Sequence, residues 1–256
     1  MSQTRQPFVI VTGMEHSGTT FLANLLKENA PCLNSGFECG ILLSEESPRN
    51  FHRVKPFYEW LCMPLESGQW GLTSEQREWA CDTDSWSEFY LRLSQCSPAI
   101  KSGQQILDKT PAYCYALESI MAKAPGCPVF LIHKDPKLLY LSYKKRQVPL
   151  DRFIARYRRY VSSVRSALAN GSGDIHMVSH KNLCENPSDS IKTILSTLQL
   201  ELPEQINVRL SSYHLPPLSP TYNYTHEEET ANRKLDERET QALFELKEES
   251  TFAKGL

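Results

Sequence analysis

Phe8-Val9-Ile10-Val11-Thr12-Gly13-Met14-Glu15-His16-Ser17-Gly18-Thr19-Thr20 puts an apolar run, a glycine-bounded loop and a hydroxyl-rich helix start in immediate succession. Four consecutive apolar residues ahead of a glycine suit a strand buried on both faces of a parallel sheet. Leu22, Leu25 and Leu26 then recur at helical spacing, which predicts a helix over Thr19 to Lys27. Between the two, the glycines are spaced as in a nucleotide P-loop. Glycines let the backbone turn tightly and aim N–H groups at an anion, and the helix N-terminus adds its dipole. Thr19 stands where an ATPase or kinase needs lysine, so the loop is built for fewer phosphates.

Outward from this loop, Val129-Phe130-Leu131-Ile132 reads as a second buried strand, with a helix opening near Pro136. Gln104 to Leu107 and Ile175 to Val178 are weaker strand candidates, each followed by helix-like sequence. Alternating strands and helices predict an α/β fold, one domain over residues 1–256 with a central, mainly parallel sheet flanked by helices. The longest amphipathic helix is expected from Leu150 to Leu168, with Leu150, Ile154, Tyr157, Val161, Val164 and Leu168 on one stripe. Four tryptophans and several Pro and Gly breaks between Ser44 and Ser97 predict irregular helices and loops over the ligand-binding edge, where acceptor specificity would sit. Leu215 to Tyr224 reads as an extended connection to a last helix near Asp236 to Glu249.

The 256 residues are 40% hydrophobic with a net charge of −2, so no global field recruits nucleic acid or an anionic membrane. Nine basic residues between Lys137 and Arg165 stand against one acid, but the arginines ride the amphipathic helix and read as a solvated face. Eight scattered cysteines without a C-x-x-C pair predict reduced thiols, and no residue set demands a metal. A short polar N-terminus and the lack of any membrane-length apolar run predict a cytoplasmic protein without membrane insertion.

The loop resembles the first cofactor motif of the sulfotransferases that use 3′-phosphoadenosine 5′-phosphosulfate (PAPS), a basic-Ser-Gly-Thr-Thr run between strand and helix. Val129 through Lys134-Asp135-Pro136 to Ser142-Tyr143 is similar to the family's second cofactor motif, a strand ending in Arg-(Asn/Asp)-Pro with Ser eight residues after the Arg. Ile106-Leu107-Asp108-Lys109-Thr110-Pro111 resembles an element of its carbohydrate and bacterial branches. His180-Lys181-Asn182-Leu183 with Pro187 resembles a stretch that introduces a late helix. The chain departs from the pattern at His16 and Lys134, where the family carries Lys or Arg and Arg. A histidine there helps electrostatically only when protonated, and lysine lacks the bidentate fork of arginine.

The resemblance implies sulfuryl transfer from PAPS to a hydroxyl or amine of a small-molecule, carbohydrate or peptide acceptor, with PAP released. His16, Ser17, Gly18, Thr19 and Thr20 would hold the 5′-phosphosulfate, Lys134 and Ser142 the 3′-phosphate, and Arg233 and Lys234 would close over it. Glu38 resembles the family's general base. Lys109, expected at the carboxyl edge of the sheet, is placed to neutralise charge on the transferring group. His176, His180 and His133 read as structural. Two other readings stay open: a P-loop NTPase or kinase-like enzyme, for which Asp108 is the best Mg²⁺ candidate, and an inactive nucleotide-binding domain of the same fold.

Overall fold

The computed structural model describes residues 7–171, 173–208 and 224–250. In chain order the elements are β1 (Phe8–Thr12), α1 (Thr19–Asn29), β2 (Leu33–Asn34), α2 (Phe57–Trp60), α3 (Ser74–Cys81), α4 (Trp86–Cys96), β3 (Gln105–Lys109), α5 (Leu117–Lys123), β4 (Pro128–His133) and α6 (Pro136–Lys144). The rest are α7 (Leu150–Ala169), β5 (Asp174–Ser179), α8 (His180–Glu185), α9 (Pro187–Thr197), α10 (Tyr224–Lys234) and α11 (Glu237–Glu249). The five strands form one sheet in the order β2-β3-β1-β4-β5, parallel in every pairing. All five β1 residues are buried, as a strand covered on both faces requires. One core forms with Phe8, Ile10, Val129 and Leu131, the other with Val9, Val11, Phe130 and Ile132, so alternate residues of β1 and β4 feed opposite faces.

The expected strands are all present, with moved boundaries. β3 extends to Lys109, so that lysine is the last strand residue rather than one beyond the strand. Its register, Ile10 opposite Asp108 and Val11 opposite Lys109, sets it beside the mouth of the loop after β1. The tryptophan-rich region is more regular than its breaks suggest. α3 starts on a capping box between Thr73 and Gln76, and α4 runs eleven residues from a Ser85 cap.

The long helix corrects the expected stripe. In α7 the buried residues are Phe153, Tyr157, Tyr160, Val161, Val164 and Ala167, whereas Leu168 is 42% exposed. An aromatic layer sets the face: Phe153 packs on Tyr140 and Tyr143, and Tyr160 stacks on His133. The expected stripe omits Phe153 and Tyr160, whose rings carry more buried area than Leu150 or Leu168. The arginines lie outward, and Arg158 pairs with Glu249 of α11 at 2.8 Å. Lys144 reaches Glu239 at 2.6 Å and Lys247 reaches Asp135 at 2.8 Å, tying α11 to α6 and the end of β4. The connection expected over Leu215 to Tyr224 falls outside the described residues except for Tyr224, which opens α10. All eight cysteines are free. Among the described residues no helix is long and apolar enough to cross a membrane.

Candidate active site

β1 ends under a loop whose shape two glycines impose. A Cβ on Gly13 would meet the Ile132 carbonyl oxygen at 2.4 Å, so β4 backs directly onto the turn. Gly18, at φ 101, is the N-cap of α1, and a Cβ there would lie 2.7 Å from His180 Cδ2. No side chain caps this helix, which leaves its first N–H groups and its dipole available to an anion. The Ser17 hydroxyl is buried and has no hydrogen-bond partner. These groups suit a sulfated phosphate.

The loop opens into a cleft of about 550 Å³ lined by Glu15, His16, Thr19, Thr20, Glu38, Lys109 and Arg146, among others. Lys109 Nζ donates to Glu38 Oε1 at 3.0 Å and sits 4.1 Å from the centre of the Phe37 ring. Burial pushes the Glu38 carboxyl up, and the Lys109 ammonium opposes that shift. Burial likewise lowers the Lys109 pKa against the pull of Glu38. The two groups are coupled: each loses solvation but gains the other's field.

Asp108 fixes the position of Lys109 from behind. Its fully buried carboxylate accepts from Tyr90 at 2.5 Å, Thr110 at 2.7 Å and Tyr113 at 2.8 Å. The Thr110 hydroxyl also accepts from the Gly40 N–H at 3.1 Å, joining the end of β3 to the loop that carries Glu38. With its oxygens taken, Asp108 is closed to a metal ion.

Glu15 and Arg146 complete the cleft, and neither carries a motif that marks it in sequence. Glu15 accepts from Tyr115 at 2.6 Å and from Tyr143 at 2.8 Å, anchoring the loop to α6 and to the turn over Pro111–Tyr115. Arg146, just beyond α6, places a guanidinium nitrogen 2.6 Å from Nε2 and 3.0 Å from Nδ1 of His16. The guanidinium is permanently charged, so its approach disfavours a second positive charge on the imidazole. Burial first, then Arg146 and Lys134, lowers the His16 pKa. The expected conditional cation at His16 thus lies against a permanent one, the Arg146 guanidinium, which disfavours its protonation. The spacing Lys134, Ser142, Arg146 is the signal that could have found it, since Ser142 and Arg146 lie four residues apart around α6 and its continuation.

Lys134 follows β4, close enough that its field lowers the pKa values of both His16 and His180. Ser142 is half-buried on α6. Arg233 and Lys234 are exposed at the end of α10 and do not line the cleft; Arg233 pairs with Glu229 at 3.8 Å, and the Lys234 carbonyl accepts from Lys144 at 3.0 Å. His133 contacts Tyr160 at 3.2 Å, and His180 packs on Gly18, both within the scaffold.

Comparison with known proteins agrees with this geometry. The Sulfotransferase family model matches residues 7–204, most of the chain. The sulfotransferase domain of the Synechococcus PCC 7002 olefin synthase superposes with a TM-score of 0.67 at 16% identity, covering 99% of this chain and 97% of that one. The sulfotransferase domain from the curacin biosynthetic pathway gives 0.55 at 12% identity, covering 95% and 98%. Sulfotransferase STF1 from Mycobacterium tuberculosis H37Rv gives 0.52 at 16% identity, covering 99% of this chain and 78% of that one. Comparison with curated proteins gives no match. With the matched region running from the first strand past α9, and with a parallel five-stranded sheet and an uncapped anion loop in place, this chain belongs to the sulfotransferase family.

Proposed function

We propose that the whole chain is one cytoplasmic, PAPS-dependent sulfotransferase domain that transfers a sulfuryl group to a hydroxyl or amine of a small-molecule, carbohydrate or peptide acceptor and releases PAP. The observation that carries the reading is the convergence on one cleft of the uncapped start of α1 with the buried Glu38–Lys109 pair. When bound, PAPS supplies an activated sulfur whose bond to the 5′-phosphate oxygen breaks as the acceptor attacks. Glu38 takes the acceptor proton, a role suited to a carboxyl whose pKa burial raises and Lys109 opposes. Lys109 turns from Glu38 to the charge developing on the transferring oxygens, and Thr19, Thr20 and the first N–H groups of α1 hold the 5′ end. Arg146 adds a permanent positive charge on the same side, while Lys134 and Ser142 read the 3′-phosphate.

An inactive domain of this fold would have no use for a carboxylate–ammonium pair desolvated at the mouth of its anion loop, since such a pair costs solvation that hydrophobic residues would not. The test is thermal unfolding with PAP and, separately, with ATP·Mg²⁺. PAP should raise Tm clearly and ATP·Mg²⁺ much less, in proportion to affinity for the folded state. A larger shift with ATP·Mg²⁺ overturns the proposal.

A further inference from the structure

Glu38 sits on a loop that follows a strand of two residues, so β2 by itself does little to fix it. The loop turns at Gly40, φ 72, where an added Cβ would meet Phe57 Cγ at 2.3 Å. Three backbone N–H groups just past Glu38 are bound by the end of β3 and the turn after it. Cys39 donates to the Asp108 carboxylate, Gly40 to the Thr110 hydroxyl at 3.1 Å, and Leu42 to the Tyr113 hydroxyl at 3.3 Å. Asp108, Thr110 and Tyr113 are all fully buried.

These bonds have a direction. A backbone N–H can only donate, so each hydroxyl accepts from the loop and directs its single proton to Asp108, Thr110 at 2.7 Å and Tyr113 at 2.8 Å. The carboxylate thereby sets which way both hydroxyls face. Burial raises the Asp108 pKa, and the hydrogen bonds from Tyr90, Thr110, Tyr113 and Cys39 work against that shift. The Thr110 carbonyl accepts from Thr12, the last residue of β1, at 2.9 Å. One residue therefore joins the loop of Glu38, the strand of Lys109 and the strand that leads into the anion loop.

We propose that Asp108, Thr110 and Tyr113 are positioning residues that hold the Glu38 loop in register with Lys109. The inference rests on the reading of Glu38 as the base, and it gives Asp108 a second task beyond backing Lys109. Glu38 and Lys109 are 71 residues apart, yet both are tied to the same carboxylate, which fixes the 3.0 Å contact between them.

The position of Glu38 can be measured without an acceptor. Its carboxyl is titrated by NMR of the carboxyl carbon in the full chain, with and without Lys109→Met, in the wild-type, Thr110→Val, Thr110→Ser and Tyr113→Phe backgrounds. In the wild-type background Lys109→Met should raise the Glu38 pKa, because it removes the ammonium that favours the carboxylate. Thr110→Val and Tyr113→Phe each leave one loop N–H without its acceptor, and the same rise should shrink to about half or less. Thr110→Ser keeps the hydroxyl and should keep most of the rise. Asp108→Asn puts a donor where two hydroxyls donate and should shrink the rise as well; if that variant does not fold, the hydroxyl variants decide. The PAP-induced Tm shift is measured on each background and should stay near that of the wild type, since the anion loop is untouched. No rise in the wild-type background, or a rise undiminished in both Thr110→Val and Tyr113→Phe whatever their Tm, overturns the proposal. A diminished rise in a protein that PAP does not stabilise overturns the donor reading and leaves the hold on Glu38 standing.

Discussion

At Glu38 two opposing effects are held in balance: burial raises the carboxyl pKa and the Lys109 ammonium 3.0 Å away pulls it down. Glu38→Gln keeps the shape and a hydrogen bond to Lys109 but cannot take a proton. Turnover should fall about a hundredfold or more while the PAP-induced Tm shift stays near that of the wild type. Loss of PAP binding in parallel would make Glu38 a structural residue. His16 calls for a different measurement. Burial and Arg146 lower its pKa, so the wild-type kcat/KM profile should carry no alkaline limb from an imidazole at neutral pH and above. Arg146→Met removes one of the forces lowering the His16 pKa. The variant should lose activity about tenfold or more and acquire a limb that falls as pH rises, because only the protonated imidazole then supplies the missing charge. A flat profile in the variant would show that His16 never substitutes for the guanidinium.

Between elements, the contact of Gly18 with His180 joins the anion loop to the start of α8 across the sheet edge. At φ 101 and with His180 Cδ2 only 2.7 Å from any added Cβ, Gly18→Ala meets both backbone strain and a clash. Gly103 is a fitting reference, since its φ is 82 but a Cβ there meets nothing within 4 Å. Gly103→Ala should show the strain alone, and Gly18→Ala should cost about 1–2 kcal/mol more in urea unfolding. Gly18→Ala should also abolish most of the PAP shift, because the first N–H groups of α1 move with the loop. Equal costs for the two variants would mean that the imidazole yields freely.

For the whole molecule, one buried and one half-buried histidine, His180 and His133, set the acid limit. Burial lowers His133 to about 4 and His180 to about 3, against 6.5 for the free side chain. The folded state therefore holds these rings neutral, and the unfolded chain binds more protons below pH 6.5. Stability from this source is complete above about pH 6.5 and is lost as pH falls toward 4 and then 3, with a slope of up to about 1.4 kcal/mol per pH unit for each ring. Urea midpoints measured from pH 7.5 to 4.5 should drop steadily below pH 6.5. Midpoints that hold constant to pH 5 would mean that the rings are already protonated in the fold.

The parallel core and the anion loop were legible in the chain because short-range rules govern them. A buried strand has to be apolar and a tight turn before a helix calls for glycine, whereas the capped helices after Thr73 and Ser85 lay in a region read as irregular. Lys109 was expected at the sheet's carboxyl edge and closes β3 there, and Ser17, Thr19 and Thr20 were expected where the loop after β1 opens α1; Glu38 was suggested by the family resemblance. Other features depend on contacts that no local pattern encodes. Arg146 is 130 residues from His16, and Tyr115 and Tyr143 lie 100 and 128 residues from Glu15. The charge beside His16 and the enclosure of Asp108 were decided only when the sheet order β2-β3-β1-β4-β5 brought those partners together. Charge and desolvation act through space, and distances in space are set by packing rather than by position along the chain.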